Sequence, residues 1–583
     1  MMQERGRWDL SPLYDNLDDP RIDEDFSKLT ELVDNSRSLL EKDAKPVAKI
    51  KDGIRLAENL NDLVYRLAAY FSLVRNADTS INKTVAYLNR IQGIMAGFQP
   101  FEVGLKRLIA EQDIDELVAE PELKHYEFML RESKDQASFL FDALLEELIA
   151  HLDIYGAGAW ENLFDQLTST VNAEYNGEKK TMTQLRNLAY DPDQKVRHQA
   201  YKAELSLYPK VEKSLSSAMN SIKGQVLYLT NRRGHDSPLD ESLFQNRTSR
   251  KTLDAMIEAI IDKKDVFVRY YKAKARYFGQ KSLHWADMFA PIGKLPSGYS
   301  VDDSREMLVR SFEKLHPPIA ELIDKAFEDN WIDFFPRDNK VGGAFCSNLP
   351  IIKQSRVLSN FDGSFSSITT LAHELGHAYH GSRIEDHASL NRSYSMPVAE
   401  TASTFNERHF VLEQIQASND PKEKLGLLDS LLMNSSQTAC DILSRFLFEQ
   451  EVFARVGNQY LSSEDLQNIM HESQIKAYGE GLDQETLHPY MWACKGHYYS
   501  ASRSFYNYPY AFGDLFSVAL YDKAQAEGAE FMKKYDEMLT ATTVTSAEET
   551  GALVGLDLTD KQTWISSLES FEPLVAEFEQ LIP

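Results

Sequence analysis

The ten residues Leu371-Ala372-His373-Glu374-Leu375-Gly376-His377-Ala378-Tyr379-His380 leave this chain the least freedom. They contain H-E-x-x-H, a pattern whose chemistry depends on a helical backbone. On an α-helix, positions i and i+4 lie one above the other, so His373 and His377 aim imidazole nitrogens at one point. Zinc takes such nitrogens at roughly 2.0–2.1 Å and asks no redox chemistry of the protein. Glu374 then stands beside that point as the base for an attacking water. The flanking pattern agrees with a helix. Ile368, Leu371, Ala372, Leu375 and Tyr379 make an apolar stripe at helical spacing, and both histidines fall off it. Ser364 or Ser366 is the expected N-cap, and Gly381 the expected stop. The alternative is a pair of core histidines satisfied by hydrogen bonds.

The third ligand has to come from outside this helix. The longer pattern H-E-x-x-H-x-x-G-x-x-H needs a glycine where the chain has His380 and a histidine where it has Arg383. The best candidate is Glu400, in Met396-Pro397-Val398-Ala399-Glu400-Thr401-Ala402-Ser403-Thr404-Phe405-Asn406-Glu407. Pro397 suits the first turn of a new helix, which places Glu400, Ser403, Thr404 and Glu407 on one face. Two histidines and one carboxylate leave a fourth position open, the arrangement of a catalytic rather than a structural zinc site, with one ion per chain. Glu407 can brace a ligand histidine from behind. His380 is the other supporting candidate, and either could replace Glu400 as third ligand. In isolation, Glu400 and Glu407 read as a solvated acidic face.

Taken together, Thr370 to His380 (T-L-A-H-E-L-G-H-A-Y-H) and Ala399 to Glu407 (A-E-T-A-S-T-F-N-E) resemble the oligoendopeptidase F branch of the thimet-oligopeptidase-like zinc metallopeptidases. Further segments carry the same resemblance over essentially the whole chain. They are Arg7 to Tyr14, Lys340 to Cys346, Leu358 to Phe361, Trp492 to Tyr499, and Phe505 to Gly513. The resemblance implies a mostly α, two-lobed helical zincin, with a small β-sheet beside the active-site helix and a deep substrate channel. It implies a metalloendopeptidase acting on short oligopeptides, with zinc on His373, His377 and Glu400 and with Glu374 as base. Its substrate-binding His/Tyr segment corresponds to His497, Tyr508 and Tyr510, which would donate to the oxyanion. The interval from His497 to Tyr510 is longer than in many members, so the choice between the tyrosines stays open. On its own terms, that aromatic cluster reads as core.

Elsewhere the chain is helical almost throughout, from about residue 20 to 190 and again beyond. Tyr190-Asp191-Pro192-Asp193 is the best punctuation, so the expected division is an N-terminal helical domain, 1–195, and a catalytic domain, 196–583. Arg232 and Arg233 read as solvent-facing or paired with acids, with capture of a substrate carboxylate as the alternative. Residues 331–365 change character. Gly342, Gly343, Ala344 and Phe345 suggest a strand edge close enough to hold a substrate backbone, or else a hairpin that simply packs.

The net charge of −26 argues against a nucleic-acid or anionic-membrane partner. The chain shows no apolar run long enough to span a bilayer and no apolar signal run, and its three cysteines make no disulfide framework, so a cytoplasmic location is expected. The partners expected are oligopeptides, and oligomeric state is left open. Two rivals stand. A carboxypeptidase or dipeptidyl carboxypeptidase would share the metal set but needs a fixed cation for the substrate's C-terminus. An inactive peptide-binding protein on the same scaffold would have no need of Glu374.

Overall fold

Successive side chains of a strand point to opposite faces, and in Gln354–Leu358 that rule divides the protein's interior. In the computed structural model, which describes residues 6–582, Leu358 packs into a core drawn from Trp8 to Leu130. Its neighbour Val357 packs into a second, larger core drawn from Ala157 to Ile582. The first core is built by helices such as Pro20–Leu39, Pro46–Ala77 and Gln99–Ala110. The first of these starts where Asp19 accepts from the backbone N–H of Arg21 and Pro20 fixes the first turn. Phe71 and Tyr87 stack at 4.3 Å within that core. The molecule is mostly helical with small sheets, and among the described residues no helix is long and apolar enough to cross a membrane.

The division expected near residue 195 does not fall where the packing changes. Phe164, Met182 and Leu185 already belong to the larger core, and Asp193 is only the N-cap of the helix Gln194–Leu205. Contacts between the two bodies include Glu58, which accepts the backbone N–H of Ser389 and of Leu390, both at 2.8 Å.

Gln354–Leu358 is the centre of a three-stranded sheet, parallel to Ile332–Asp333 and antiparallel to Phe345–Leu349, which forms an edge. From this sheet the chain enters the helix Phe365–Ile384, capped by Ser364, whose hydroxyl accepts from Ser367 N–H. The helix does not stop at Gly381. A Cβ there would come within 2.2 Å of the Asn348 side chain, so this glycine lets the helix lie against the edge strand. Gly376 does the same on the other side, where a Cβ would meet the carbonyl of Ala402 at 2.5 Å. The helix is thus wedged between the edge strand and the segment bearing Glu400. That segment is a short helix, Met396–Ala399, followed by Thr401–Ala417, with Glu400 at the junction (φ −90°, ψ 2°).

Candidate active site

Helical spacing brings His373 and His377 to one face, with ring centroids 5.0 Å apart. The junction at Glu400 turns its carboxylate toward them. Glu400 Oε2 lies 3.3 Å from His373 Nε2 and 3.2 Å from His377 Nε2. A tetrahedral ion bonded at roughly 2.0–2.2 Å has ligand–ligand edges of about 3.3–3.6 Å. The two edges to Glu400 are close to that spacing, and the nitrogen and oxygen donors suit that ion. Glu407 Oε2 sits 3.0 Å from His373 Nδ1. With Nδ1 paired in this way, Nε2 is the nitrogen that faces the cluster. Burial disfavours charge on His373, yet Glu400 and Glu407 raise its pKa to about 10. Glu400 is opposed by burial as well, and the two imidazoles hold its carboxyl far below the ordinary range.

Glu374, next to the first histidine, is buried and faces the backbone of Cys346 on the edge strand. Burial raises its pKa, against the pull of His373 and His377. Gly342, Gly343 and Ala344 form a bend leading into that strand, which Phe345 begins. Asn360 Nδ2 pins the bend by donating to the carbonyls of Val341 and Gly343 at 3.0 and 2.8 Å. Gly343 takes a left-handed φ of 78°, and no atom would crowd a Cβ at either glycine.

The helix Tyr508–Glu527 brings the aromatic segment to the cluster through Gly513, where a Cβ would approach Glu400 Cβ to 3.2 Å. Tyr510, one turn earlier on the same helix, has its hydroxyl 2.8 Å from that of Tyr506. Tyr508 does not share this position. Two residues along a helix is a rotation of about 200°, so Tyr508 is buried on the far side with its hydroxyl turned toward Ser242 and Asn246. His380 is likewise not a support for the ligands. It is fully buried, bonds Thr542 Oγ1 at 2.8 Å and stacks on Tyr394 at 4.4 Å. Burial, with His377 nearby, pushes its pKa down to about 3.

His497 and Asn507 line one cavity together with Tyr510. Arg445, paired with Asp441, donates from Nη1 to Asn507 Oδ1 at 3.0 Å. That bond orients the amide so that Nδ2 donates to His497 Nε2 at 2.7 Å. His497 is therefore the tautomer with its proton on Nδ1. Burial, with the charges of Arg445, Lys223 and Lys495, pushes its pKa down to about 2 and keeps it neutral. Phe505, in a left-handed conformation (φ 54°) and packed on Phe446 and Phe453, makes the turn that presents Tyr506 and Asn507. Sequence reasoning missed Tyr506, Asn507 and Arg445. Only Tyr506 had a signal, its i, i+4 spacing from Tyr510. Arg232 and Arg233 are elsewhere: Arg233 pairs with Glu146 at 2.6 Å and Arg232 lies over Tyr228.

Comparison with known proteins agrees with this geometry. The profile described as Peptidase family M3 matches residues 187–570, and that described as Oligopeptidase F matches residues 108–172. An oligoendopeptidase F homolog of Lactococcus lactis subsp. lactis is 23% identical over 610 residues, covering 99% of this chain and 98% of its own. A solved structure from Chlamydophila abortus superimposes with a TM-score of 0.85 at 20% identity, covering 99% of this chain and 98% of its own. Oligoendopeptidase-F from Enterococcus faecium does so with a TM-score of 0.70 at 18% identity, covering 96% and 99%.

Proposed function

The chain belongs to peptidase family M3 and is a metalloendopeptidase; from that premise we propose that it uses one zinc ion to hydrolyse internal bonds of short oligopeptides. His373, His377 and Glu400 would hold the ion, and the observation that carries this reading is the 3.2–3.3 Å spacing of one Glu400 oxygen from two imidazole nitrogens. Zinc held there supplies a Lewis acid for the scissile carbonyl and acidifies water. Glu374 takes the proton of the attacking water and delivers it to the leaving amine. Its raised pKa suits a group that must both accept and release a proton. Tyr510, held by Tyr506, and His497, through Nδ1–H, donate to the carbonyl oxygen as its charge grows. Glu407 fixes the tautomer of His373. The bend Gly342–Gly343–Ala344 and the start of the edge strand at Phe345 lie alongside the substrate's backbone. A cytoplasmic location completes the proposal.

The test uses a peptide acylated at one end and amidated at the other, with products read by mass spectrometry. Internal cleavage, abolished by a chelator and restored by one equivalent of zinc, is the expected result. If the doubly blocked peptide stays intact while a free-acid peptide loses C-terminal residues, the enzyme is a carboxypeptidase instead.

A further inference from the structure

A cavity of about 650 Å³ adjoins Tyr510, His497 and Asn507 and extends to Arg186, Glu204 and Lys495. One turn of π-helix, Gln437–Asp441, contributes to its wall. Such turns are frequent at functional sites. Most of its charges are spent on one another. Arg186 Nη1 lies 2.6 Å from Glu204 Oε1, and Arg445 pairs with Asp441. Arg197, also in the lining, is balanced by Asp287 at 2.7 Å. Lys495 is the exception: among the described residues its ammonium makes no hydrogen bond or ion pair. In a chain of net charge −26, this cavity keeps one cation in excess.

Desolvation and the neighbouring Arg445 both work against that charge, with Asp441 only partly opposing them. A partly desolvated ammonium with no fixed partner gains more from an incoming anion than one in open water. The excess is a single charge, which one carboxylate neutralises. A peptide chain offers that group as its C-terminus or as an Asp or Glu side chain.

We propose that Lys495, backed by Arg445, receives one carboxylate of the bound peptide, so that the enzyme prefers peptides presenting a carboxylate beyond the wall formed by His497 and Tyr510. This rests on the peptidase reading above. The contact is short-range and sheltered. The preference therefore persists at physiological salt, whereas the protein's overall negative field repels anions and is screened.

The experiment measures equilibrium binding of labelled hexapeptides to zinc-loaded protein carrying Glu374→Gln, so that nothing is consumed. One pair of peptides differs as free acid and C-terminal amide. A second pair, both amidated, differs as Asp and Asn at the last position. The carboxylate member of at least one pair should bind about tenfold tighter, the size expected of one charge-assisted bond, and the pair that responds identifies the source. Adding Lys495→Met should erase the preference and Lys495→Arg should keep it. Should Lys495→Met not fold, Lys495→Gln carries the same expectation. Equal affinity within both pairs, or a preference unchanged in the neutral variants, overturns the proposal. Binding with this preference in a protein whose wild-type holoenzyme leaves the peptides uncut would overturn the peptidase reading and leave the carboxylate site standing.

Discussion

His198, His284 and Asp287 match His373, His377 and Glu400 in offering two imidazoles and one carboxylate, and in both groups the ligand atoms lie within 4.8 Å of one another. Their surroundings differ. Asp287 Oδ1 receives Arg197 Nε and Nη2 at 2.9 and 2.7 Å, while Oδ2 receives His198, Gln194 and Gln280. Its charge is already matched by the fully buried Arg197. His284 spends its Nδ1 lone pair on the N–H of Ala286. The imidazoles stack on each other at 4.1 Å instead of converging on a point. At the other group, Glu400 Oε2 takes, among the described residues, only the Ser403 hydroxyl besides the imidazoles. There three carboxylates, Glu374, Glu400 and Glu407, surround two imidazoles, and on the proposed reading a divalent cation would answer that surplus. On that reading, a metal site is marked off from a hydrogen-bonded knot by unbalanced negative charge and donors aimed at one point, not by the kinds of side chain.

The largest expected effect tests whether Glu374 belongs to the chemistry and not to the ligand set. Glu374→Gln should cut turnover by about 10²–10⁴-fold while the protein retains one zinc by elemental analysis. Near-normal turnover in the loaded variant would break the assignment. Next in size, Tyr510→Phe should lower kcat by ~10²–10³ with KM little changed, since a donor to the oxyanion acts mainly in the transition state. Tyr508→Phe, on the opposite side of the helix, should leave kcat alone. A kcat loss in Tyr508→Phe alone would invert the choice between them. Smaller again, Glu407→Gln should weaken zinc affinity by roughly 10–100-fold through the freed imidazole of His373. Competition with a chromophoric chelator measures it.

How much of this was legible depended on how local the cause was. The ligand helix and its Ser364 cap follow from spacing and from a hydroxyl beside an apolar stripe. Glu400 is suggested as a ligand by its place after the motif, but its position at a helix break is not legible there. Gly381 reads as a stop in sequence because its real reason, the Asn348 side chain, lies 33 residues earlier. Tyr508 and Tyr510 could not be told apart until the helix start was fixed at Tyr508, since one residue of offset rotates both. The Arg445–Asn507 bond spans 62 residues of sequence, and no local pattern announces it.

The smallest effect is the sharpest test of the comparison, because it predicts no change in metal. His198→Ala should leave zinc at one equivalent and peptidase activity intact, at a stability cost of ~1 kcal/mol for the lost bond to Asp287. Loss of a metal equivalent would mean that the second group also holds an ion. The pH dependence of its neighbour gives an independent reading. Burial and the adjacent His198 lower the pKa of His284 to about 4, against about 6.5 in an unfolded chain. Between those values the unfolded chain binds a proton that the folded one refuses, so stability falls as pH drops from about 6.5 to about 4 and is fully restored above. His284→Gln removes that contribution. Urea melts at pH 7.5 and 4.5 should therefore show wild type losing more stability on acidification than the variant. An equal loss in both would mean that His284 accepts its proton in the folded state, which the N–H of Ala286 pointing at Nδ1 forbids while that turn is intact.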